Sequence, residues 1–242
     1  MLGRSPRDVA AKREIGYLPE ESHFYKFLTA RETLDFYARL FNLGRSARAG
    51  RVAQLLDMVA LTPAADRPVG EFSKGMARRV GLAQALINDP RLVILDEPTA
   101  GLDPIGCRQV KDLLLALVRR GNTILLCSHL LADVEDVCDR IAILFNGRIY
   151  AHGTVKGLLE QRDHARVTLP PLPPDELRNL LATIRARLGA EPAVDYPLVR
   201  LERFFLEVVA QAHAAAGLAP GSSAPRLADF LQRDRDAEDH GR

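Results

Sequence analysis

The chain is 242 residues long, with 47% hydrophobic and 26% charged residues and a formal net charge of +2. That is ordinary globular composition with enough apolar material for a core, so global disorder is excluded, and a charge so near neutral implies no polyanionic partner. Cys107, Cys127 and Cys138 are widely spaced with no CxxC pair, which fits neither a disulfide framework nor a zinc site and suits a reducing cytosol.

Met1 to Glu21 is short and polar apart from Ile15-Gly-Tyr-Leu-Pro19, and its first residues lack the apolar stretch of a signal peptide. From Ser22 to about Asn88 the pattern is helical. Leu34, Phe36, Tyr37, Leu40 and Phe41 predict an amphipathic helix over Thr33 to Leu43, opened by Thr29 or Ala30 with Glu32 and closed by Gly44. Leu55, Leu56, Met58 and Val59 predict a second over Val52 to Leu61. Ala77 to Leu86 forms a third.

After Pro90 the texture changes. Leu92-Val-Ile-Leu95, Thr123-Ile-Leu-Leu-Cys127 and Ile141-Ala-Ile-Leu-Phe145 are short apolar runs that suit parallel strands covered on both faces. Helical stretches at Ile105 to Arg120 and Leu130 to Asp139 separate them, so βαβ units are expected. Asn146-Gly147 predicts a hairpin into Arg148-Ile-Tyr-Ala151. No apolar run approaches the ~18 residues of a membrane span. Leu169-Pro-Pro-Leu-Pro-Pro174 reads as an extended linker. Beyond it, Asp175 to Leu188 and Leu201 to Ala216 look helical, Gly217 to Pro225 is loop-like, and Arg233 to Arg242 is a mixed-charge tail of disordered type.

The chemistry centres on Asp96-Glu97-Pro98. A hydrophobic strand ending in two acids delivers carboxylates to the carboxyl edge of a sheet, where α/β proteins bind ligands. In phosphoryl transfer one acid serves magnesium and the other the attacking water. An isolated Asp-Glu pair is more simply a solvated strand end. The continuation Thr99-Ala-Gly-Leu-Asp103-Pro104 changes that weighting.

At these residues the sequence resembles the ATP-binding-cassette (ABC) ATPases, over roughly Arg4 to Leu159. Ile15-Gly-Tyr-Leu-Pro-Glu20 is similar to the Q-loop, Phe72-Ser73-Lys74-Gly75-Met76 to the signature motif, and Leu92 to Glu97 to Walker B. Ala100-Gly-Leu-Asp103 is similar to the D-loop and Cys127-Ser-His129 to the switch histidine. Five motifs in the family's order are far more specific than any one alone.

The resemblance implies an α/β, P-loop NTPase-like parallel sheet with a helical signature subdomain at about residues 22–88. The cassette portion spans residues 1–169, and residues 170–242 form a helical extension and tail. It implies ATP and magnesium as cofactors, Glu97 and His129 as catalytic residues, and Asp96 and Glu20 near the metal. Ser73, Lys74, Gly75 and Asp103 would meet nucleotide across a cassette dimer, the signature serine also serving as an ordinary helix N-cap. The partners implied are a second cassette and a separate transmembrane permease, with the chain cytoplasmic at the inner membrane face and no nucleic acid expected. Two departures stand out: Glu20 replaces the usual glutamine, a carboxylate still being a competent oxygen ligand, and Lys74 and Met76 replace a glycine and a glutamine. These variants resemble exporter-type cassettes.

The phosphate-binding loop Gly-x-x-x-x-Gly-Lys-Ser/Thr is missing, since the chain has no Gly-Lys dipeptide and only 19 residues precede Glu20. The expectation is a cassette that begins after Walker A, lacking also the adenine-stacking aromatic and one central strand. Without that strand, runs such as Leu92 to Leu95 are expected at an unpaired edge. Three readings stay open: a truncated cassette, which is preferred; a half-cassette that lends Ser73 to a partner's ATP site; and a degenerate interaction protein. Ribosome- or DNA-directed ABC ATPases form a rival class, although heptad coiled coils and a second cassette are both lacking. Phe24, Tyr25, Phe27 and Leu28 either dock a permease helix or pack on the following helix, exposure being the discriminator.

Overall fold

A computed structural model describes residues 1–160, 167–189, 192–195, 203–205, 207–209, 211 and 228–231. Within the polar start lie two elements. Helix α1 (Val9–Arg13) is capped by the Asp8 side chain, which accepts from the Ala10 N–H, and strand β1 (Ile15–Leu18) follows. Three helices come next: α2 (Ala30–Leu40), α3 (Arg45–Met58) and α4 (Lys74–Ala85). Thr29 opens α2 with a full capping box, its hydroxyl accepting from the Glu32 N–H while Glu32 accepts from the Thr29 N–H. The helix ends three residues before the expected Leu43. Asn42, at φ 59°, takes the left-handed position expected of Gly44, which instead is the N-cap of α3. An asparagine tolerates that conformation nearly as well as glycine.

Strand β2 (Leu92–Asp96), helix α5 (Pro104–Arg119), strand β3 (Thr123–Cys127) and helix α6 (Leu131–Val137) follow in order. Strands β1, β2 and β3 form a parallel sheet in that order, with Leu18 opposite Leu95 and Leu95 opposite Leu126. Strand β2 is therefore central and paired on both sides, which corrects the expectation that Leu92 to Leu95 faces an open edge. The outer edges of β1 and β3 carry no further strand among the described residues.

Strands β4 (Arg140–Phe145) and β5 (Arg148–Thr154) make a separate antiparallel hairpin, closed by helix α7 (Val155–Leu159). Asn146 and Gly147, at φ 47° and 73°, supply the two left-handed residues that a tight hairpin turn needs. The run Ile141 to Phe145 is thus neither parallel nor covered on both faces. Ile143, Leu144 and Phe145 are exposed, and β3 alternates between half-buried and exposed residues. Both strands lack the neighbouring layers that their composition could bury.

The core joins the helical arm α2–α4 to the sheet. Leu34, Leu55, Leu56, Val80, Leu86, Val93, Leu95, Leu113 and Leu117 belong to one buried cluster. Helix α4 presses closely on β1, because a Cβ on Gly16 would lie 1.9 Å from the Ala85 carbonyl oxygen. Beyond the irregular residues 167–172, helix α8 (Pro174–Leu188) ends at Gly189 in the left-handed conformation. Of the expected Leu201 to Ala216 helix, residues 203–205, 207–209 and 211 are described and helical; the rest, with Gly217 to Pro225 and the Arg233 to Arg242 tail, lies outside the described residues.

Candidate functional site

The parallel sheet delivers its chemistry at the carboxyl ends of β2 and β3. Asp96 ends β2, and Glu97 follows at φ 49°, where its N–H donates to the Cys127 carbonyl at 2.9 Å. That turn aims the Glu97 carboxylate at the residues after β3. Its Oε1 accepts from the His129 backbone N–H at 2.8 Å and lies 2.8 Å from His129 Nδ1, while the Ser128 hydroxyl donates to Oε2 at 3.2 Å. The Glu97 side chain is 13% exposed and that of His129 is 74% exposed. The acid is thus held from within and the imidazole faces outward.

Partial burial pushes the Glu97 carboxyl up, but the His129 side-chain and backbone hydrogen bonds and the Ser128 hydroxyl outweigh it. The net position lies below the ordinary carboxylate value, so Glu97 is ionised at neutral pH and suited to accept a proton or orient water.

Ser73 caps α4 by accepting from the Met76 N–H at 3.2 Å. Gly75 packs against the Gly101–Leu102 turn, where an added Cβ would make a tight contact of 3.2 Å with the Gly101 carbonyl. The Lys74 stem lies beside Gly101. The signature-like and D-loop-like segments are therefore neighbours within one chain. Asp103 caps α5, accepting from the Gly106 N–H at 2.6 Å, so its carboxylate is engaged locally.

Glu20 is exposed at the end of the segment after β1. Among the described residues no group of three or more His, Cys, Asp or Glu could hold a metal ion by itself. Asp96 and Glu20 offer two carboxylates, too few to fill an octahedral shell, so a magnesium ion there would take its remaining ligands from water and phosphate oxygens.

Arg78 was not singled out by sequence reasoning. It is 6% exposed on the second turn of α4, donating to the Pro19 and Glu20 carbonyls on one side and the Asp96 and Glu97 carbonyls on the other. Burial lowers its pKa, opposed by the charges of Asp96, Glu97 and Glu20. One guanidinium thereby spans the ends of β1 and β2. The available signal was an arginine within the buried stripe of α4, four residues before Leu82. Lys111 was likewise missed; its buried ammonium lies 3.3 Å from Asp133 and 3.0 Å from Asp136, tying α6 to α5 directly after the His129 turn.

Near the end of β1, Tyr25 and Phe27 are 59% and 76% exposed, whereas Phe24 and Leu28 are half-buried. Tyr25 stacks edge-on against Phe36, which does the same with Tyr37. The result is a partly exposed aromatic ladder.

Residues 3–100 match the family model described as ABC transporter. An uncharacterised ABC transporter ATP-binding protein of Synechocystis is 44% identical over 76% of this chain and 52% of its own length. The Nod factor export ATP-binding protein I of Burkholderia orbicola is 39% identical over 62% of this chain and 49% of its own. The chain thus spans about half the length of these relatives. A solved ATP-binding subunit of an ABC transporter superposes with a TM-score of 0.59 at 27% identity, covering 86% of this chain and 75% of that one.

Proposed function

The chain belongs to the ABC transporter family of ATP-binding proteins, and on that premise we propose that it carries the hydrolytic edge and signature helix of a transporter's nucleotide-binding subunit. The observation that supports this best is the Glu97 carboxylate clasped by Ser128 and His129 at the carboxyl edge of the sheet. The substrate is ATP complexed with magnesium. Glu97 orients the attacking water and accepts its proton as the bond between the γ-phosphorus and the β–γ bridging oxygen breaks, releasing ADP and phosphate. The exposed His129 ring reaches the γ-phosphate while its backbone N–H holds Glu97 in place. Asp96 and Glu20 would hold the metal of the bound complex, which would shield the phosphate charge.

The phosphate-binding loop does not come from these 242 residues, which contain no Gly-Lys dipeptide. Ser73 and the first N–H groups of α4 serve a nucleotide held by a second cassette, because the positive end of a helix attracts phosphate. The transporter's membrane subunit docks a helix on the Tyr25, Phe27 and Phe36 ladder, an apolar surface suited to helix-in-groove binding. Among the described residues no helix is long and apolar enough to cross a membrane.

The test is a mixed-site assay. A relative's intact cassette is given Ser→Arg at its own signature serine and mixed with this chain in magnesium-ATP. Phosphate release should rise on mixing and disappear with Ser73→Arg in this chain, while this chain alone should release none above background. No rise on mixing would leave the interaction-protein reading. Hydrolysis by the chain alone would contradict the need for an external phosphate loop.

A further inference from the structure

Residues 228–231 lie far along the chain from the cassette motifs, yet two of them sit in its core. Ala228 is 5% exposed and Leu231 fully buried, both within the main hydrophobic cluster. Three side chains on the cassette receive this short Ala-Asp-Phe-Leu segment. Arg51 of α3 stacks over the Phe230 ring at 4.0 Å while donating to the Ile87 carbonyl at 3.0 Å. One turn on, Gln54 donates to the Asp229 carboxylate at 2.9 Å. Arg120, just past α5, grips Asp89 through two hydrogen bonds of 2.7 and 3.1 Å and reaches the Phe230 carbonyl at 3.4 Å.

The two arginines are fixed by other contacts. Arg51 is tied to the end of α4, Arg120 to the α4–β2 turn, and the neighbouring Asn122 side chain donates to the Pro90 carbonyl at 2.7 Å. The socket is therefore built from cassette residues and is positive on balance, with Arg51 and Arg120 against Asp89. Asp229 brings the complementary charge. Leu231 fills an apolar hole and Phe230 offers a π-face to a guanidinium.

We propose that residues 228–231 are an anchor motif, docked in cis into a preformed socket formed by α3, the α4–β2 turn and the end of α5. Ala228 and Leu231 thereby tie a segment far along the chain from α7 back to the cassette core. The socket lies at the amino end of β2, opposite Asp96 and Glu97, so the anchor leaves the carboxyl edge clear for a facing subunit. This goes beyond the nucleotide role and does not depend on it.

Because the protein contains no tryptophan, Phe230→Trp places a single reporter at the anchor. In the full chain its emission should be blue-shifted from that of free tryptophan and move red with Arg51→Glu. A second measurement uses a fluorescein-labelled peptide of residues 225–234. It should bind the Leu231→Asp chain, whose own anchor is expelled, at least tenfold more tightly than the wild-type chain, whose socket is filled. Adding Arg51→Glu should abolish that binding. Solvent-like emission at position 230 in the folded chain would overturn the proposal. So would equal peptide binding by wild-type and Leu231→Asp chains, provided circular dichroism shows both folded.

Discussion

Leu92-Val-Ile-Leu95 in β2 and Ile141-Ala-Ile-Leu-Phe145 in β4 are near twins in sequence, yet Val93 and Leu95 are fully buried while Ile143, Leu144 and Phe145 are 52%, 66% and 62% exposed. The contrast extends beyond single strands. The arm α2–α4 and strands β1 and β2 supply most of the core, whereas from Thr123 through Glu160 no residue is buried. An apolar run states how much surface a strand can remove from water. Whether it does so depends on layers that come from elsewhere in the chain or the assembly.

The sharpest way to break this comparison is to cut equal volumes from both regions. Leu95→Ala should cost about 3–4 kcal/mol of unfolding free energy in urea titration, as for a fully buried leucine. Leu144→Ala should cost less than about 0.5 kcal/mol, and equal losses would mean that the two strands are comparably packed in solution. Arg78→Ala should cost about 3 kcal/mol, because four backbone carbonyls lose a shared donor. Arg78→Lys should recover only part of that, since an ammonium cannot reproduce the fork.

Helix caps offer a matched pair of smaller size. Thr29→Ala should cost about 1 kcal/mol, since it removes the capping box of a packed helix. Thr154 caps α7 in the same way, accepting from Gly157 at 3.1 Å. Thr154→Ala should nevertheless change global stability by only a few tenths of a kcal/mol, because α7 contributes no buried residue.

Acid titration should separate the regions further. Glu97 and Asp35 both have lowered pKa values; in Asp35 the hydrogen bonds from Arg48 and Arg39 outweigh burial. The unfolded chain therefore takes up protons first as pH falls, so stability is full above about 4.5 and declines through the lowered folded values. Glu97→Gln should flatten that acid limb in melts recorded from pH 6 to 3. The smallest effect on stability is expected from Leu144→Ser, whose readout is light scattering: exposed apolar surface should fall and self-association with it.

Much of the buried half was legible because its signals are local. Thr29 with Glu32, Ser73 before α4 and Asn146-Gly147 are each signals written within a few residues. Within the site, the strand-end position of Asp96-Glu97 followed from hydrophobic pattern alone. What was not legible depends on distant partners. Pairing of β2 on both sides, the span of Arg78 between two strand ends, the burial of Lys111 and the docking of Leu231 all join segments remote in sequence. The local appearance of β4 pointed to a covered parallel strand for the same reason.

Glu97 adopts a left-handed backbone at φ 49°, which a residue other than glycine, asparagine or aspartate enters at a cost of roughly 1–2 kcal/mol. Glycine would enter it freely. Selection of this chain for thermal endurance alone would therefore favour glycine at position 97 and discard the carboxylate that faces His129. Robustness and chemistry compete for the same backbone torsion.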